Sequence, residues 1–520
     1  MIIVLKKNFI VLFFVVSSLL GVSAQAELLN VSETRRQLGL DIYPLYNDLS
    51  QVKIAVLDNG FTGFKADGKV LPRNSELIAG PKNDFMQTVH GLGMAQIVWE
   101  LSGKQELGPK FYLINSNGFT NLKAAIDFVI QNKIQIVLYS QVWPFGSNFD
   151  GKGLIDNEVT RATQAGVIWV NAAGNHRNKV FSQKVLSAES RKDLRFVNTK
   201  DENTVTVTLS WSDFGDNENY STNKDLDLQI VDSEGNVVGS SELIQRGEAP
   251  TEGAGSKLSS FPRESILLKN LDRGEYRIRI RRQSDNFTAQ DRLKILLVAE
   301  KSESVNFKDR TPGEEILAPA DHAEVLTVGD LSPISSLGPT ADGRDKPEIL
   351  LEAANADFSN GNQYGGSSTA AAFFAAVVVS MKAQWAHMTV QHIRNYLKKN
   401  IQFAIPPNYN TVSKSQMDAI SRRFVPERAQ VAQHPNGRWV VFTAEDPKDL
   451  SIFSGARERC SSLPTGYLMA YLPYASQWGC FYPEQDSQIQ NPWIEFRKGS
   501  SNSSGFWRTP LPRSHWMNER

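Results

Sequence analysis

The sequence predicts an α/β protein whose doubly wound, mainly parallel sheet is interrupted by an antiparallel β-sandwich. Short, uninterrupted apolar runs such as VKIAVL and KFYLIN are typical of strands that are buried on both faces of a parallel sheet. Near residue 185 the pattern changes to alternating polar and apolar residues between turn-rich loops, and near Pro312 the first pattern returns. The β-module is therefore predicted to be inserted into the α/β domain rather than to follow it.

The first α/β segment contains four apolar runs that predict strands, at residues 52–57, 110–115, 134–140 and 167–173. Helices are predicted between them. One follows from the helical spacing of Leu122, Ala125, Ile126, Val129 and Ile130, and another covers residues 157–164. Alternating strands and helices of this kind predict a parallel sheet with helices on both faces.

The inserted module is predicted from alternating segments, which read TVTVTLSWSD, DLDLQIVDSEGNVVGSS, GEYRIRIRR and RLKILLVAE. After it, AEVLTVGDL predicts another strand, and residues 369–385 predict a helix that is apolar on every side and belongs in a core. A region rich in Trp, Tyr, Pro and Gly ends the chain. The predicted limits are 27–185 and 309–425 for the two parts of the α/β domain, 186–308 for the insert and 426–520 for the C-terminal region.

The N-terminus has the three-part layout of a secretory signal. Lys6 and Lys7 precede an apolar run, which ends in the small residues Ala24-Gln25-Ala26. We expect cleavage after Ala26 and a secreted or periplasmic mature chain with no membrane span. The chain has 56 basic and 56 acidic residues, so no charge excess points to nucleic acid as a partner.

Two cysteines are present, Cys460 and Cys480, both near the C-terminus. In an exported protein an even pair predicts one disulfide. A pair of buried free thiols is the alternative. In either case the cysteines are not part of a redox motif.

Polar residues stand where a doubly wound sheet forms its sites, beyond the carboxyl ends of the strands. Asp58 ends the first predicted strand, His90 begins a helical stretch, and Asn175 lies on the turn after VIWVNAA. Ser367 and Ser368 follow two glycines at the start of the apolar helix. Each residue alone is compatible with an ordinary turn or helix cap. Together they supply the acid, base, amide donor and nucleophile that acyl transfer needs.

The order Asp, His, Ser along the chain is that of subtilisin. The segments IAVLDNGF, HGLGMA, VNAAGNH, SSLGPTADGRDKPEI and GGSSTAAA resemble those of subtilases, the subtilisin-like serine peptidases, over residues 50–185 and 310–400. The resemblance implies a subtilisin-like fold and assigns roles by position. It implies a catalytic triad of Asp58, His90 and Ser368. It also implies that Asn175 is an oxyanion-hole donor and that Ser140 and Gly174 line the substrate site.

The same resemblance selects between the two serines. The family pattern of glycine, small hydroxyl residue, nucleophile, any residue and alanine fits Gly366 to Ala370 with Ser368 as the nucleophile. We expect the hydroxyl of Ser367 to hold the glycine turn through a local hydrogen bond.

Three positions depart from the subtilase pattern. Asn59 stands where Thr or Ser is usual, Ala372 replaces a proline, and Val142 replaces the glycine of the substrate-lining Ser-Leu-Gly. The last departure leaves the shape of the substrate pocket open. The segment 27–51 is also short for the folding propeptide that many subtilases carry.

The insert resembles the jelly-roll-like β-domains of some subtilases through LSWSD and DLDLQIVDSEGN. Asp225 and Asp227 either bind calcium as a structural ion, since carboxylate oxygen suits it, or form the solvent face of a strand. No cofactor is required by the predicted chemistry. The sequence thus predicts an exported serine endopeptidase acting on proteins or peptides. The alternative is a catalytically idle binding or adhesion protein with the same fold.

Overall fold

The computed structural model of the chain describes residues 31–38, 40, 49–106, 108–186, 194–248, 257–308, 313–351, 353, 356–357, 363–400, 429–434, 437–442, 468–472 and 477–483. The predicted signal segment, residues 1–26, lies outside these ranges, and so does Cys460. Cleavage after Ala26 and the disulfide between Cys460 and Cys480 therefore stay predictions.

The central sheet is parallel throughout its described strands, as the sequence predicts. The strands are β1 (Lys53–Asp58), β2 (Glu76–Ile78), β3 (Lys110–Asn115), β4 (Ile136–Tyr139), β5 (Ile168–Ala172) and, after the inserted strands, β15 (Leu326–Asp330) and β16 (Ile349–Leu351). Their spatial order is β16-β15-β5-β4-β1-β3-β2. The short strands β2 and β16 were not among the predicted strands, because runs of this length carry little periodicity.

Helices cover both faces of this sheet, which confirms the doubly wound prediction. They are α1 (Val31–Gln37), α2 (His90–Leu101), α3 (Gly118–Gln131), α4 (Leu154–Gln164), α5 (Gly366–Gln384) and α6 (Val390–Asn400). Ile54 and Val56 of β1 pack into the same core cluster as α2 and α5. Ala55 and Leu57 pack into a second cluster with α3 and α4. Successive strand residues face opposite sides, so an unbroken apolar run serves both cores.

Helix α5 lies in the core of the α/β domain. Among the described residues it is the one helix long and apolar enough to cross a membrane, but 83% of the segment Gly366–Ala383 is buried inside the fold. Its side chains join those of α2 in the core cluster on one face of the sheet. The helix is thus accounted for by packing within the domain.

The inserted strands form a two-layered antiparallel sandwich. They are β6 (Val180–Lys184), β7 (Arg195–Asn198), β8 (Asn203–Trp211), β9 (Leu226–Val231), β10 (Val237–Ser241), β11 (Arg263–Leu271), β12 (Gly274–Arg282), β13 (Arg292–Ala299) and β14 (Val305–Phe307). One sheet has the order β10-β9-β12-β7-β14, and the other β11-β8-β13-β6. Alternating apolar side chains of both sheets, such as Leu228 and Leu209, fill the space between them.

The position of the sandwich in the chain agrees with an insertion. Strands β5 and β15, which flank it, pair directly with each other in the central sheet. The first sandwich strand begins at Val180, within the segment that the sequence assigns to the first part of the α/β domain. The domain limits themselves stay predictions.

The remaining strands lie near and beyond α5. Strands β17 (Ala356–Asp357) and β18 (Gln363–Tyr364) form a hairpin just before that helix. The C-terminal region contains β19 (Ala429–His434), β20 (Gly437–Phe442), β21 (Leu468–Leu472) and β22 (Gln477–Pro483), in the antiparallel order β19-β20-β22-β21. For this region the sequence predicted an aromatic-rich composition and a disulfide, but no strands. The pairing places the backbone of Cys480 between Val440 and Met469.

Candidate active site

The predicted site residues gather at the carboxyl edge of the central sheet. Asp58 is the last residue of β1, Ser140 directly follows β4, and Asn175 follows β5. These three strands are neighbours in the order β5-β4-β1. Helices α2 and α5 begin at the same edge, with His90 as the first residue of α2 and Ser368 in the first turn of α5.

Asp58 and His90 are joined by a hydrogen bond. His90 Nδ1 donates to Asp58 Oδ2 at 2.8 Å, which fixes the proton on Nδ1 because a carboxylate only accepts. Asp58 is fully buried, and its Oδ1 accepts the backbone N–H groups of Asn59 and Gly60 at 2.8 and 3.0 Å. The imidazole of His90 is 41% exposed. A buried carboxylate therefore orients a ring that is itself partly exposed.

Two opposing effects set the pKa of His90. Burial of the ring lowers the pKa, whereas the hydrogen bond from His90 to Asp58 and the negative charge of that carboxylate raise it. The partner outweighs burial, so that the pKa of His90 lies above its usual value. The carboxylate thus favours the imidazolium that forms when the ring accepts a proton.

Gly91 allows α2 to approach Asp58 this closely. A Cβ at this position would stand 2.5 Å from Asp58 Cβ and 2.5 Å from a ring carbon of Phe61. Any larger residue would therefore displace the start of the helix. The hydrogen bond between His90 and Asp58 thus depends on a glycine in the first turn of α2.

The two serines at the start of α5 have different environments. Gly366 begins the helix with a φ of +78°, as the predicted glycine turn requires. Ser368 is partly exposed, and its Oγ donates to Ser140 O at 3.3 Å. Ser367 is 1% exposed, and its Oγ donates to Asn175 Oδ1 at 3.0 Å and accepts from Gly174 N–H at 3.1 Å. The prediction that Ser367 makes a local hydrogen bond is therefore wrong: its hydroxyl joins α5 to the loop after β5.

The side-chain amide of Asn175 is oriented by Ser367. Its Oδ1 accepts both the backbone N–H and the hydroxyl of Ser367, each at 3.0 Å. Its Nδ2 has no acceptor in the part of the chain that the structure describes, and it packs against Gly366, where a Cβ would stand 2.9 Å from it. An N–H donor is therefore held at a helix start, where the first backbone N–H groups also lack intrahelical partners.

The residues predicted to form the triad, the oxyanion hole and the lining of the substrate site thus all lie at one edge of the sheet. The hydroxyl of Ser368 hydrogen-bonds to Ser140 O rather than to His90. A serine hydroxyl rotates readily, and catalytic hydrogen bonds commonly tighten only when substrate binds. Sequence reasoning missed the contribution of Gly91, for which the glycine directly after His90 in a helix was the available signal.

The predicted calcium ligands lie on the sandwich, in β9 and directly before it. Asp227 accepts a hydrogen bond from Gln283, and all six residues of β9 are buried, so this strand has no solvent face. Burial raises the pKa of Asp225 to about 6. Among the described residues, no group of three or more His, Cys, Asp or Glu side chains is arranged to hold a metal ion. Calcium binding at Asp225 and Asp227 stays a prediction.

Comparison with known proteins gives one family and several solved structures. The model of the subtilase family matches residues 50–425. The CspB protease of Clostridium perfringens is 15% identical over 74% of this chain and 93% of that chain, with a TM-score of 0.47. MycP1 from Mycobacterium smegmatis is 12% identical over 74% and 82%, with a TM-score of 0.33. Comparison with curated protein sequences found no match.

Proposed function

The chain belongs to the subtilase family of serine peptidases, and we propose that it is an exported endopeptidase that cleaves peptide bonds through an acyl-enzyme formed on Ser368. The observation that carries the proposal is the hydrogen bond between His90 Nδ1 and the buried Asp58, made at the sheet edge where α5 begins with Ser368 in its first turn. It leaves Nε2 of His90 as the atom that can accept a proton.

The proposed reaction has two halves. Ser368 Oγ attacks the scissile carbonyl carbon while its proton passes to His90 Nε2, and Asp58 stabilises the resulting imidazolium. Asn175 Nδ2 and the backbone N–H of Ser368 donate to the oxyanion. The C–N bond then breaks and His90 returns the proton to the leaving amine. A water molecule, deprotonated by His90, hydrolyses the ester and releases Ser368.

A second candidate is a binding or adhesion protein without turnover. Two observations favour it: Val142 replaces a glycine in the substrate-lining segment, and the hydroxyl of Ser368 hydrogen-bonds to Ser140 O rather than to His90. Against it, the carboxylate, imidazole, amide and hydroxyl groups of the proposed site are all present. The two candidates differ in whether Ser368 reacts.

A serine-directed fluorophosphonate probe tests the proposal. We expect covalent labelling of the wild-type protein, with the adduct on Ser368 in peptide mass spectrometry. Ser368→Ala should abolish labelling and peptide cleavage. Ser367→Ala is the matched control: it should retain labelling and lose about fivefold in kcat, because a lost hydrogen bond of roughly 1 kcal/mol loosens Asn175.

Other outcomes would contradict the assignment. An adduct on Ser367, or one that survives in Ser368→Ala, would show that the triad is wrong. Absence of labelling in protein whose thermal unfolding is cooperative would favour the binding protein.

Export is proposed from the N-terminal signal pattern at residues 1–26. The mature chain should begin at Glu27. N-terminal sequencing of protein from the medium or periplasm tests this, and an unprocessed N-terminus in a membrane fraction would refute it.

A further inference from the structure

Two chain segments flank the place where the scissile carbonyl must lie. The carbonyl carbon has to come within about 3.5 Å of Ser368 Oγ, with its oxygen towards Asn175 Nδ2. Ser140 O lies 3.3 Å from Ser368 Oγ, so the segment that begins at Ser140 borders the same hydroxyl. The side chain of the residue that supplies the carbonyl is attached one bond away. It therefore lies close to the segment after Ser140 and to the loop at Gly174, which precedes Asn175.

Three side chains already crowd the space beside Gly174. The point at which a Cβ of Gly174 would stand lies 3.3 Å from Val142 Cγ2, 3.1 Å from His176 Cδ2 and 3.2 Å from Ser336 Oγ. Even one added carbon would be in tight contact with all three. Val142, His176 and Ser336 therefore fill the space next to the Cα of Gly174.

Hydrogen bonds hold the wall formed by His176 and Ser336. Ser336 is fully buried, its N–H donates to Gly174 O at 2.8 Å, and its Oγ accepts the N–H of His176 at 3.1 Å. Burial lowers the pKa of His176 to about 4, so the ring is neutral at physiological pH. This wall offers no opposite charge to a charged substrate side chain and little freedom to move aside.

Val142 is held in place from the opposite side. Its side chain packs against two small apolar clusters, which consist of Ala173, Ile316 and Ala320, and of Val180, Leu296 and Leu317. The next residue, Trp143, donates its N–H to Ala318 O at 2.7 Å. A β-branched side chain has few rotamers, so Val142 has no ready way to turn out of the space. Val180 and Leu296 belong to β6 and β13, so the sandwich takes part in holding it.

We infer that Val142 and His176 close the subsite for the residue that precedes the scissile bond, so that the enzyme cleaves after glycine, alanine or serine and rejects large side chains. The sandwich sets this preference, because its strands β6 and β13 hold Val142 in the subsite. This inference rests on the proposed endopeptidase function. It concerns the substrate class and leaves the identity of the nucleophile untouched.

The first experiment measures kcat/KM for peptide p-nitroanilides that differ only in having alanine or phenylalanine before the scissile bond. Wild-type protein should prefer alanine by about 100-fold, since small steric differences in a tight pocket reach this size. Val142→Ala and Val142→Gly should raise kcat/KM for the phenylalanine substrate by about tenfold or more. Val298→Ala, an exposed valine on β13, is the matched control and should leave the ratio unchanged.

The second experiment needs no turnover. Acetylated tetrapeptide acids ending in alanine or phenylalanine are titrated calorimetrically into Ser368→Ala and into the double variant that also carries Val142→Gly. Ser368→Ala should bind the alanine peptide more tightly, and the double variant should lose that preference.

The outcomes distinguish a failure of the closed subsite from a failure of the peptidase assignment. If the wild-type protein is labelled by fluorophosphonate but cleaves after phenylalanine as well as after alanine, or if Val142 variants do not change the ratio, the closed subsite is wrong and the peptidase assignment stands. If no labelling occurs, the peptidase assignment fails. The closed subsite is then supported by selective binding of the alanine peptide and overturned by equal or absent binding of both. Thermal unfolding confirms that each variant is folded.

Discussion

At His90, burial and the partner carboxylate act on the pKa in opposite directions, and the carboxylate prevails. The raised pKa of His90 determines the direction in which the pH dependence of catalysis should shift. A base has to be neutral to accept the proton of Ser368, and a raised pKa keeps the ring protonated to higher pH. For the proposed peptidase, we therefore expect the acidic limb of the activity profile to lie above the pH at which an ordinary histidine titrates.

The pH dependence of kcat/KM tests the pairing of Asp58 with His90. Asp58→Asn removes the charge that raises the pKa, so the limb should move to lower pH, and kcat should fall by about 10⁴-fold because the ring is no longer held in the required tautomer. Asp272→Asn, an exposed carboxylate of the sandwich, serves as the control and should change neither quantity. A limb at the same pH in Asp58→Asn and wild type would contradict the proposed role of Asp58.

At the scale of elements, the first residue of α5 lies between the proposed nucleophile, Ser368, and the proposed oxyanion donor, Asn175. Gly366 adopts a positive φ, and its Cα lies against the amide of Asn175. Helix α3 offers a natural comparison, since its first residue, Gly118, has a φ of +73° and no atom within 4 Å of an added Cβ. Both glycines adopt a positive φ, but only Gly366 has another side chain packed against its Cα.

Alanine substitutions at these two glycines separate backbone strain from displacement of the amide. Gly118→Ala should destabilise the protein by about 1 kcal/mol, through φ alone, and leave kcat unchanged. Gly366→Ala should cost a similar free energy of unfolding and also lower kcat by about 100-fold, because the added methyl group displaces Asn175 Nδ2. Urea unfolding and kcat measurements check both variants. Equal kcat values in the two variants would show that a methyl group at position 366 does not displace the side-chain amide of Asn175 from its working position.

At the scale of the whole molecule, the sandwich packs on the loop that follows residues 140–142, the segment proposed to line the substrate site. Asn148 and Phe214 exchange two hydrogen bonds, of 2.9 and 2.8 Å, and Ser210 Oγ donates to Pro144 O at 3.0 Å. Lys294 of β13, 1% exposed, donates from Nζ to Ile316 O at 2.7 Å. The sandwich thus contacts the α/β domain through buried polar groups as well as apolar ones.

Lys294, which lies at this interface, makes the free energy of unfolding of the protein depend on pH. Burial lowers the pKa of Lys294 to about 8, whereas in the unfolded chain it titrates near its usual value of about 10.4. Between these values the unfolded chain binds one more proton. The free energy of unfolding therefore rises with pH, by at most about 1.4 kcal/mol per pH unit from this residue.

The difference in free energy of unfolding between wild type and Lys294→Met, measured in urea, should increase from pH 8 to pH 10 in favour of wild type. Lys269→Met, an exposed lysine on β11, controls for the loss of a lysine and should give a constant difference. A flat difference for Lys294→Met as well would mean that Lys294 titrates like an exposed lysine.

The sequence by itself determined the features that depend on local pattern. The apolar runs predicted β1, β3, β4 and β5 to within two residues at each end, and the change from uninterrupted to alternating apolar patterns predicted the inserted sandwich. The positions of Asp58 and Asn175 after predicted strands, and of His90 and Ser368 at helix starts, also predicted that these side chains meet at one sheet edge, because parallel strands present their carboxyl ends together.

Only the tertiary structure decided how those side chains are held. Ser367 orients Asn175 across 192 residues of chain, Gly91 admits α2 to Asp58, and Val142 is held by side chains from β6 and β13. No periodicity or short motif records such contacts, since each depends on the distance between segments that are remote along the chain. Local pattern determined which residues reach the site, and packing between distant segments decided their orientation and the space left for a substrate.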